Sequence, residues 1–305
     1  MRGLKSSFKL NFMSLTSFVR NGLGTKIYEM IPPPRDCPKN IPLLAPPQNN
    51  HLSIVGTAFD YLLRAYIKHF HHAQEDVLVG VRSLEILKNC VKNGACKFGG
   101  RTIDAKTIRY LEGFVGRVLK EREAFIRTGE LDLFFFEDLI RFSRLDTIYR
   151  AGTYYDPRAP VPEEEVADLY NLFKAIPRFY FQFPKKWILD VDFSKYIQDP
   201  KVKALFQDRA DADLLRGDAL IDIKTVHECE IAKYYWGQIV GYLVIAQISR
   251  EHGSFPEVKE AGFYFARHGY VGTFPAEYVY ENENYPEVRN LLVTKFFESL
   301  LGEKR

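Results

Sequence analysis

A chain of 305 residues that is 46% hydrophobic, 14% aromatic and 27% charged can bury a full core, which excludes disorder over most of its length. Its 42 Lys and Arg against 39 Asp and Glu leave a formal charge of +3, too little on its own to identify a nucleic-acid partner. No segment approaches the roughly 18 apolar residues of a membrane span, so a membrane-spanning helix is excluded.

Taken in chain order, Ser14-Leu-Thr-Ser-Phe-Val reads as a short helix capped by Ser14. Pro32-Pro-Pro through Pro46-Pro47 is a proline-rich connector that cannot be helical. A helix is predicted from about residue 54 to 71, with Phe59, Leu62, Leu63, Tyr66 and Ile67 as its buried stripe. His69, His71 and His72 gather at its end, where complementing the helix C-terminus explains them more simply than a metal site does. Residues 75–150 read as several helices broken at Gly94, Gly99-Gly100 and Gly129. From Arg82 to Arg127 there are 11 Lys and Arg against 5 Asp and Glu, an excess larger than that of the whole chain. Arg101, Lys106, Arg109 and Arg117 there are candidates for a phosphate-binding wall, a solvated helix face being the plainer account. Asp156-Pro-Arg-Ala-Pro-Val-Pro is a linker to a helix over about 163–175. Strands follow at Trp187-Ile-Leu-Asp-Val-Asp and around Gly217, then a helix with Gln238, a strand from Glu260, another at Gly272-Thr-Phe, and a helix over about 286–301. This order predicts an α/β fold with a mixed central sheet flanked by helices and a helical insert. The domains expected are an N-terminal extension with its connector (1–50), a core (51–75 and 176–305) and the insert (76–175).

The run from Asp211 to Lys224 carries the chemistry. A hairpin turning at Gly217-Asp218, with Gly first as a type II′ turn requires, pairs Arg216 with Ala219 and so sets Asp213 opposite Asp222. Strand alternation places Asp211, Asp213, Asp222 and Lys224 on one face and Leu214, Ile221 and Ile223 on the other. Opposed carboxylates repel, and a hard divalent cation, Mg²⁺ or Mn²⁺, removes the repulsion by taking both as oxygen ligands. Asp222→Asn is accordingly expected to spare the fold and to relieve that repulsion in the metal-free protein. Lys224 can then orient a water or stabilise charge on a phosphate. Gln238 and Tyr242, four apart, share one face of the next helix, where an ordinary amphipathic helix would also put them. Tyr234 and Trp236 on that helix are expected to pack. Asp211 is an alternative to Asp213 as ligand.

Asp213, Asp222-Ile-Lys224 and Gln238-x-x-x-Tyr242 together resemble the PD-(D/E)XK nuclease superfamily in its RecB-like branch, which includes CRISPR-associated adaptation nucleases. The resemblance covers about 56–66 and 205–270, with an unmatched insert between. It implies a restriction-endonuclease-like core in which Asp213 and Asp222 hold the metal and Lys224 is the catalytic lysine, with Gln238 and Tyr242 positioning it. That branch also has a Gly-x-x-x-His helix whose His is a ligand. Here Gly56-Thr-Ala-Phe-Asp60 departs from the pattern, and Asp60 would replace the His with an oxygen donor. Some members carry an iron–sulfur cluster on one Cys before the core and three after it. Of Cys37, Cys90, Cys96 and Cys229 only the last follows Asp222, so no cluster is expected. The cysteines form no Cys-x-x-Cys pair and suggest no framework of bridges, which fits a reducing cytoplasm. The basic start, Met1-Arg-Gly-Leu-Lys, never develops a signal-like apolar core. The function expected is therefore a Mg²⁺-dependent deoxyribonuclease, exo- or endonuclease, cytoplasmic, with DNA as partner and a helicase or other DNA-processing protein as a further candidate partner. The alternatives are a nucleic-acid-binding subunit that kept the fold without turnover, and a hydrolase of RNA or another phosphodiester.

Overall fold

Ser14 does cap the first helix, its hydroxyl accepting the Ser17 N–H at 3.3 Å. In this computed structural model, which describes residues 14–34, 40–48, 52–94, 96–98 and 100–302, α1 (Leu15–Phe18) runs through a π-type turn into α2 (Gly24–Met30). The chain bends at Asn21-Gly22, where Gly22 takes φ +97°. Next come α3 (Leu52–Phe70), β1 (Gln74–Glu75), α4 (Val79–Lys92), the hairpin β2 (Cys96–Phe98) and β3 (Arg101–Ile103), α5 (Ala105–Thr128), α6 (Leu133–Ala151) and α7 (Glu163–Lys174). Then follow α8 (Arg178–Gln182), β4 (Trp187–Asp192), α9 (Pro200–Phe206), β5 (Asp211–Arg216) and β6 (Ala219–Lys224). The chain ends with α10 (Lys233–Glu251), β7 (Glu260–Phe265), β8 (Tyr270–Pro275), α11 (Glu277–Tyr280) and α12 (Tyr285–Gly302). The basic start, Cys37 and Gly99 lie outside the described residues.

Contacts divide the chain into two units, one of Pro47–Phe70 with Val77–Lys174, the other holding residues 14–46, 71–76 and 175–302. The first is helical. The apolar stripe of α3 is buried as its period requires, and it packs with Leu111, Phe114 and Phe125 of α5 and Leu139 and Phe142 of α6 in the interior. Asp104 caps α5 by accepting the Thr107 N–H at 2.7 Å, and Gly129, at φ +72°, ends it. The stretch after Gly94 is a β-hairpin where the sequence suggested only helices. Gly94 and Gly100 at φ +119° and +78° turn the chain back on itself, and Cys96 meets the end of α4. There Cys90 and Cys96 form a disulfide with Cα atoms 5.1 Å apart, correcting the expectation of no bridges.

The second unit carries the whole mixed sheet, in the order β1-β4-β5-β6-β7-β8. Pairs β1·β4 and β6·β7 are parallel; the other three are antiparallel. This is the expected α/β class with a mixed central sheet flanked by helices. Leu215 and Leu220, with Ala261 paired to Leu220 and Phe263 and Phe265 paired to Asp222 and Lys224, join one core with the apolar side chains of α10 and with Val288, Leu292 and Phe296 of α12. α10 is buried almost all round because α2 crosses its outer side backbone to backbone: a Cβ added at Gly237 would lie 2.5 Å from the Gly24 Cα. The indole N–H of Trp236 donates to the Ile31 carbonyl, so Trp236 packs as expected. Connector residues Leu44 and Ala45 both donate their N–H to the Arg267 carbonyl at 2.9 Å, and the buried Arg267 guanidinium returns bonds to Ala45 and to Thr225, the residue after Lys224.

Candidate active site

Gly217, at φ +64° with Asp218 on the ordinary negative side, makes the type II′ turn, and Arg216 pairs with Ala219. The β5–β6 pairs run on to Leu214 with Ile221 and stop there. β6 stays paired with β7 as far as Lys224 and Phe265, and β5 stays paired with β4 as far as Asp211 and Asp192, so the hairpin parts at its open end while each strand keeps its outer neighbour. Asp213 bridges the parting, its Oδ2 accepting the Ile223 N–H at 2.6 Å in place of a ladder bond. By the same register it stands opposite Asp222, and on β4 it faces Asp190, which holds φ +55° between the pairs Leu189–Leu214 and Val191–Ala212. Such a conformation is costly for a residue with a Cβ in mid-strand.

Asp222 and Lys224 face α10, on the same side of the sheet as Leu215 and Leu220. Both are buried, at 1% and 8% exposure, and form an ion pair through Asp222 Oδ2. The Lys224 ammonium also donates to Gln238 Oε1 at 3.0 Å and lies 4.5 Å from the centre of the Tyr235 ring. Gln238 Nε2 donates to the Tyr242 hydroxyl at 2.7 Å and to Thr16 Oγ1 at 3.4 Å. Both amide protons are thereby used, which turns the carbonyl oxygen of Gln238 to the lysine. Burial, then the negative charge of Asp222 and Asp213, holds the Tyr242 phenol well above its usual range, against the opposing effect of the Gln238 bond; Asp211 adds to the rise. Tyr242 therefore stays protonated, stacked on Phe193 with ring centres 5.9 Å apart.

The structure thus brings Asp222, Lys224, Gln238 and Tyr242 into one hydrogen-bonded and ion-paired chain, with Asp213 on the neighbouring strand. Asp60 belongs to the helical unit, on α3, where its carboxylate pairs with Arg64 one turn on. Of the residues proposed for a basic wall, Arg117 is held by both oxygens of Asp138 at 2.7 and 3.0 Å, and Arg101 lies 3.9 Å from Asp156, while Lys106 and Arg109 are exposed. His69 and His71 each engage a backbone carbonyl, of Ile126 and Phe181 respectively. Sequence reasoning missed Thr16 and Tyr235. Tyr235 lies one helical turn before the residue facing Lys224's strand and was legible from that spacing; Thr16 is 222 residues from Gln238 and carries no signal of its own.

Asp213 and Asp222 offer hard carboxylate oxygens on adjacent strands, a donor set that suits Mg²⁺ or Mn²⁺ with water completing the shell. Among the described residues there is no group of three or more His, Cys, Asp or Glu arranged to hold a metal ion. No helix among them is long and apolar enough to cross a membrane. No family model, curated protein or solved structure matches the chain.

Proposed function

We propose that the sheet unit is a restriction-endonuclease-like core and the protein a metal-dependent phosphodiesterase. Within that class we assign it to the nucleases that cut DNA, the role its resemblance to the RecB-like branch implies. The observation that supports this best is the buried Lys224 ammonium held between Asp222 and Gln238, beside a second carboxylate on the next strand. A stability role accounts poorly for that grouping, because burying a lysine with an acid, a second acid half-buried beside them, costs desolvation that apolar side chains of the same volume avoid.

Asp213 and Asp222 would hold Mg²⁺ or Mn²⁺. A bound divalent ion would supply Lewis-acid stabilisation and a more acidic water. The work of the chain's own residues follows from the geometry. Gln238, fixed by Tyr242 and Thr16, presents only an acceptor to Lys224, so the ammonium keeps its place when Asp222 is drawn to another cation. Lys224 is then free to hold a phosphoryl oxygen or orient the attacking water. Tyr242, buried and protonated, acts through Gln238 and is a positioning residue.

One observation favours a second reading, a nucleic-acid-binding subunit without turnover: Asp222 is ion-paired with Lys224 and Asp213 accepts the Ile223 N–H, so both carboxylates have partners within the protein. Incubation of pure protein with DNA, RNA and phosphodiester nucleotides, each with Mg²⁺, Mn²⁺ or EDTA, separates the readings. The nuclease assignment expects metal-dependent cleavage of DNA. Cleavage of RNA or nucleotides alone reassigns the substrate, and no cleavage of any of them supports the binding subunit.

A further inference from the structure

On the face of the sheet turned away from Asp222 and Lys224, the turn end of the same hairpin carries an aromatic surface that the proposed active site does not use. Trp187 starts β4 paired with Arg216. The Arg216 guanidinium lies 4.3 Å from the centre of the Tyr180 ring and 5.7 Å from those of Phe183 and Trp187, which ties α8 and the residues after it to the sheet. Phe181 fills the interior beneath, against Tyr264. Phe179 and Phe183 point outward instead, 84% and 45% exposed, with ring centres 6.1 Å apart. Around them Arg178, Lys185 and Lys186 are exposed, and from residue 175 to 189 the chain has no carboxylate. Lys185 runs along the hairpin turn, its Cδ within 3.7 Å of where a Gly217 Cβ would be.

Two rings left in water beside three cations, on a scaffold stiffened by a stacked arginine, match one chemistry above others. Unpaired bases stack on aromatic faces, and the backbone that joins them carries a negative charge at every step. A duplex hides its base faces, and the exposed carboxylates at this end of the sheet, Asp218 in the turn and Glu260 beside Ala219, are outnumbered by the three cations. We propose that Phe179 and Phe183, with Arg178, Lys185 and Lys186, form a binding platform for single-stranded nucleic acid. The platform is separate from the Asp213/Asp222/Lys224 site and stands whether or not that site cuts.

Fluorescence anisotropy of labelled oligo-dT and of its duplex with oligo-dA, in EDTA so that no turnover intervenes, tests it. The full-length protein binds the single strand more tightly than the duplex. Phe179→Ala/Phe183→Ala weakens single-strand binding at least about tenfold and leaves duplex binding unchanged. Phe179→Trp/Phe183→Trp keeps the affinity, whereas Phe179→Leu/Phe183→Leu, apolar without a ring face of that kind, loses it. Lys185→Ala/Lys186→Ala flattens the slope of log K against log salt by about 1.4, or about 0.7 per phosphate contact. Unchanged single-strand affinity in the alanine or leucine pair, with circular dichroism as for the parent, overturns the platform, as does a parent protein that fails to bind oligo-dT. Binding of anionic phospholipid vesicles that the alanine pair abolishes, with oligo-dT binding intact, would assign the surface to lipid and also overturn it. Metal-dependent cleavage at an unaltered rate in the alanine pair, alongside lost oligo-dT binding, leaves both proposals standing.

Discussion

Asp222 answers to two partners, a lysine it already holds and a cation it is proposed to take, and that competition shapes what its replacement does. From charge opposition alone, Asp222→Asn would relieve repulsion against Asp213. The structure reverses the sign, because the buried Lys224 loses its counter-charge. The variant should lose cleavage by orders of magnitude and unfold more easily by about 3 kcal/mol, read by urea titration. A more stable variant would show that the Asp222–Lys224 pair does not form. Lys224→Ala should slow cleavage yet hold or raise Mn²⁺ affinity by calorimetry, since the ammonium competes with the metal for Asp222. Collapse of metal binding in a folded variant contradicts that. Lys224→Arg should also fail, its planar fork being unable to replace a compact amine between Asp222 and Gln238. Strand alternation and helical spacing made Asp213, Asp222, Lys224, Gln238 and Tyr242 legible as a set. The use of Asp213 as a backbone acceptor was not, because nothing in the residue pattern says that the ladder stops at Leu214 and Ile221.

Between helices of the sheet unit, α2 crosses α10 backbone to backbone. Gly237→Ala puts a methyl group 2.5 Å from the Gly24 Cα, a backbone contact with no flexible side chain to yield. It should cost about 2 kcal/mol or more of stability by thermal or urea melting, and by shifting α2 it should loosen Thr16 from Gln238. An Ala variant as stable as the parent would mean that the helices are not packed backbone to backbone. In the helical unit, Asp146 accepts the Tyr61 hydroxyl at 2.6 Å, and Tyr61 in turn accepts the Gly80 N–H at 3.0 Å. Burial pushes the Asp146 carboxyl up to about 6, only partly offset by Arg150, the Tyr61 bond and Arg64. Its folded-state value is raised above the unfolded one of about 3.9, so the folded chain binds the extra proton, and stability falls as pH rises from about 4 to about 6 by up to roughly 3 kcal/mol. Asp146→Asn should flatten the pH dependence over that window; an unchanged slope contradicts the assignment. Ser14 and Gly129 show why helix ends could be read, each sitting at a terminus with a local partner. The β2–β3 hairpin could not, since three-residue strands leave too little alternation to distinguish from a broken helix.

At the scale of the whole molecule, the α/β class was legible because the long helices and the strands from Trp187 onward carry their own periods, while the two-residue β1 had no pattern to read. Net charge was a poor guide to the substrate surface. Arg117 is neutralised by Asp138, so substituting Arg101, Lys106, Arg109 and Arg117 together should flatten the salt dependence of DNA binding by less than four contacts' worth, about two if Lys106 and Arg109 alone reach phosphate. A loss of four would show that the Arg117–Asp138 pair opens for DNA. The central claim is tested most directly by incubating the pure full-length protein and its Asp222→Asn variant with labelled DNA in Mn²⁺ and in EDTA. The account predicts cleavage by the parent in Mn²⁺ alone and at least about a hundredfold less by the variant, as removal of a metal ligand requires. Equal cleavage in EDTA, or a variant as active as the parent, would contradict it.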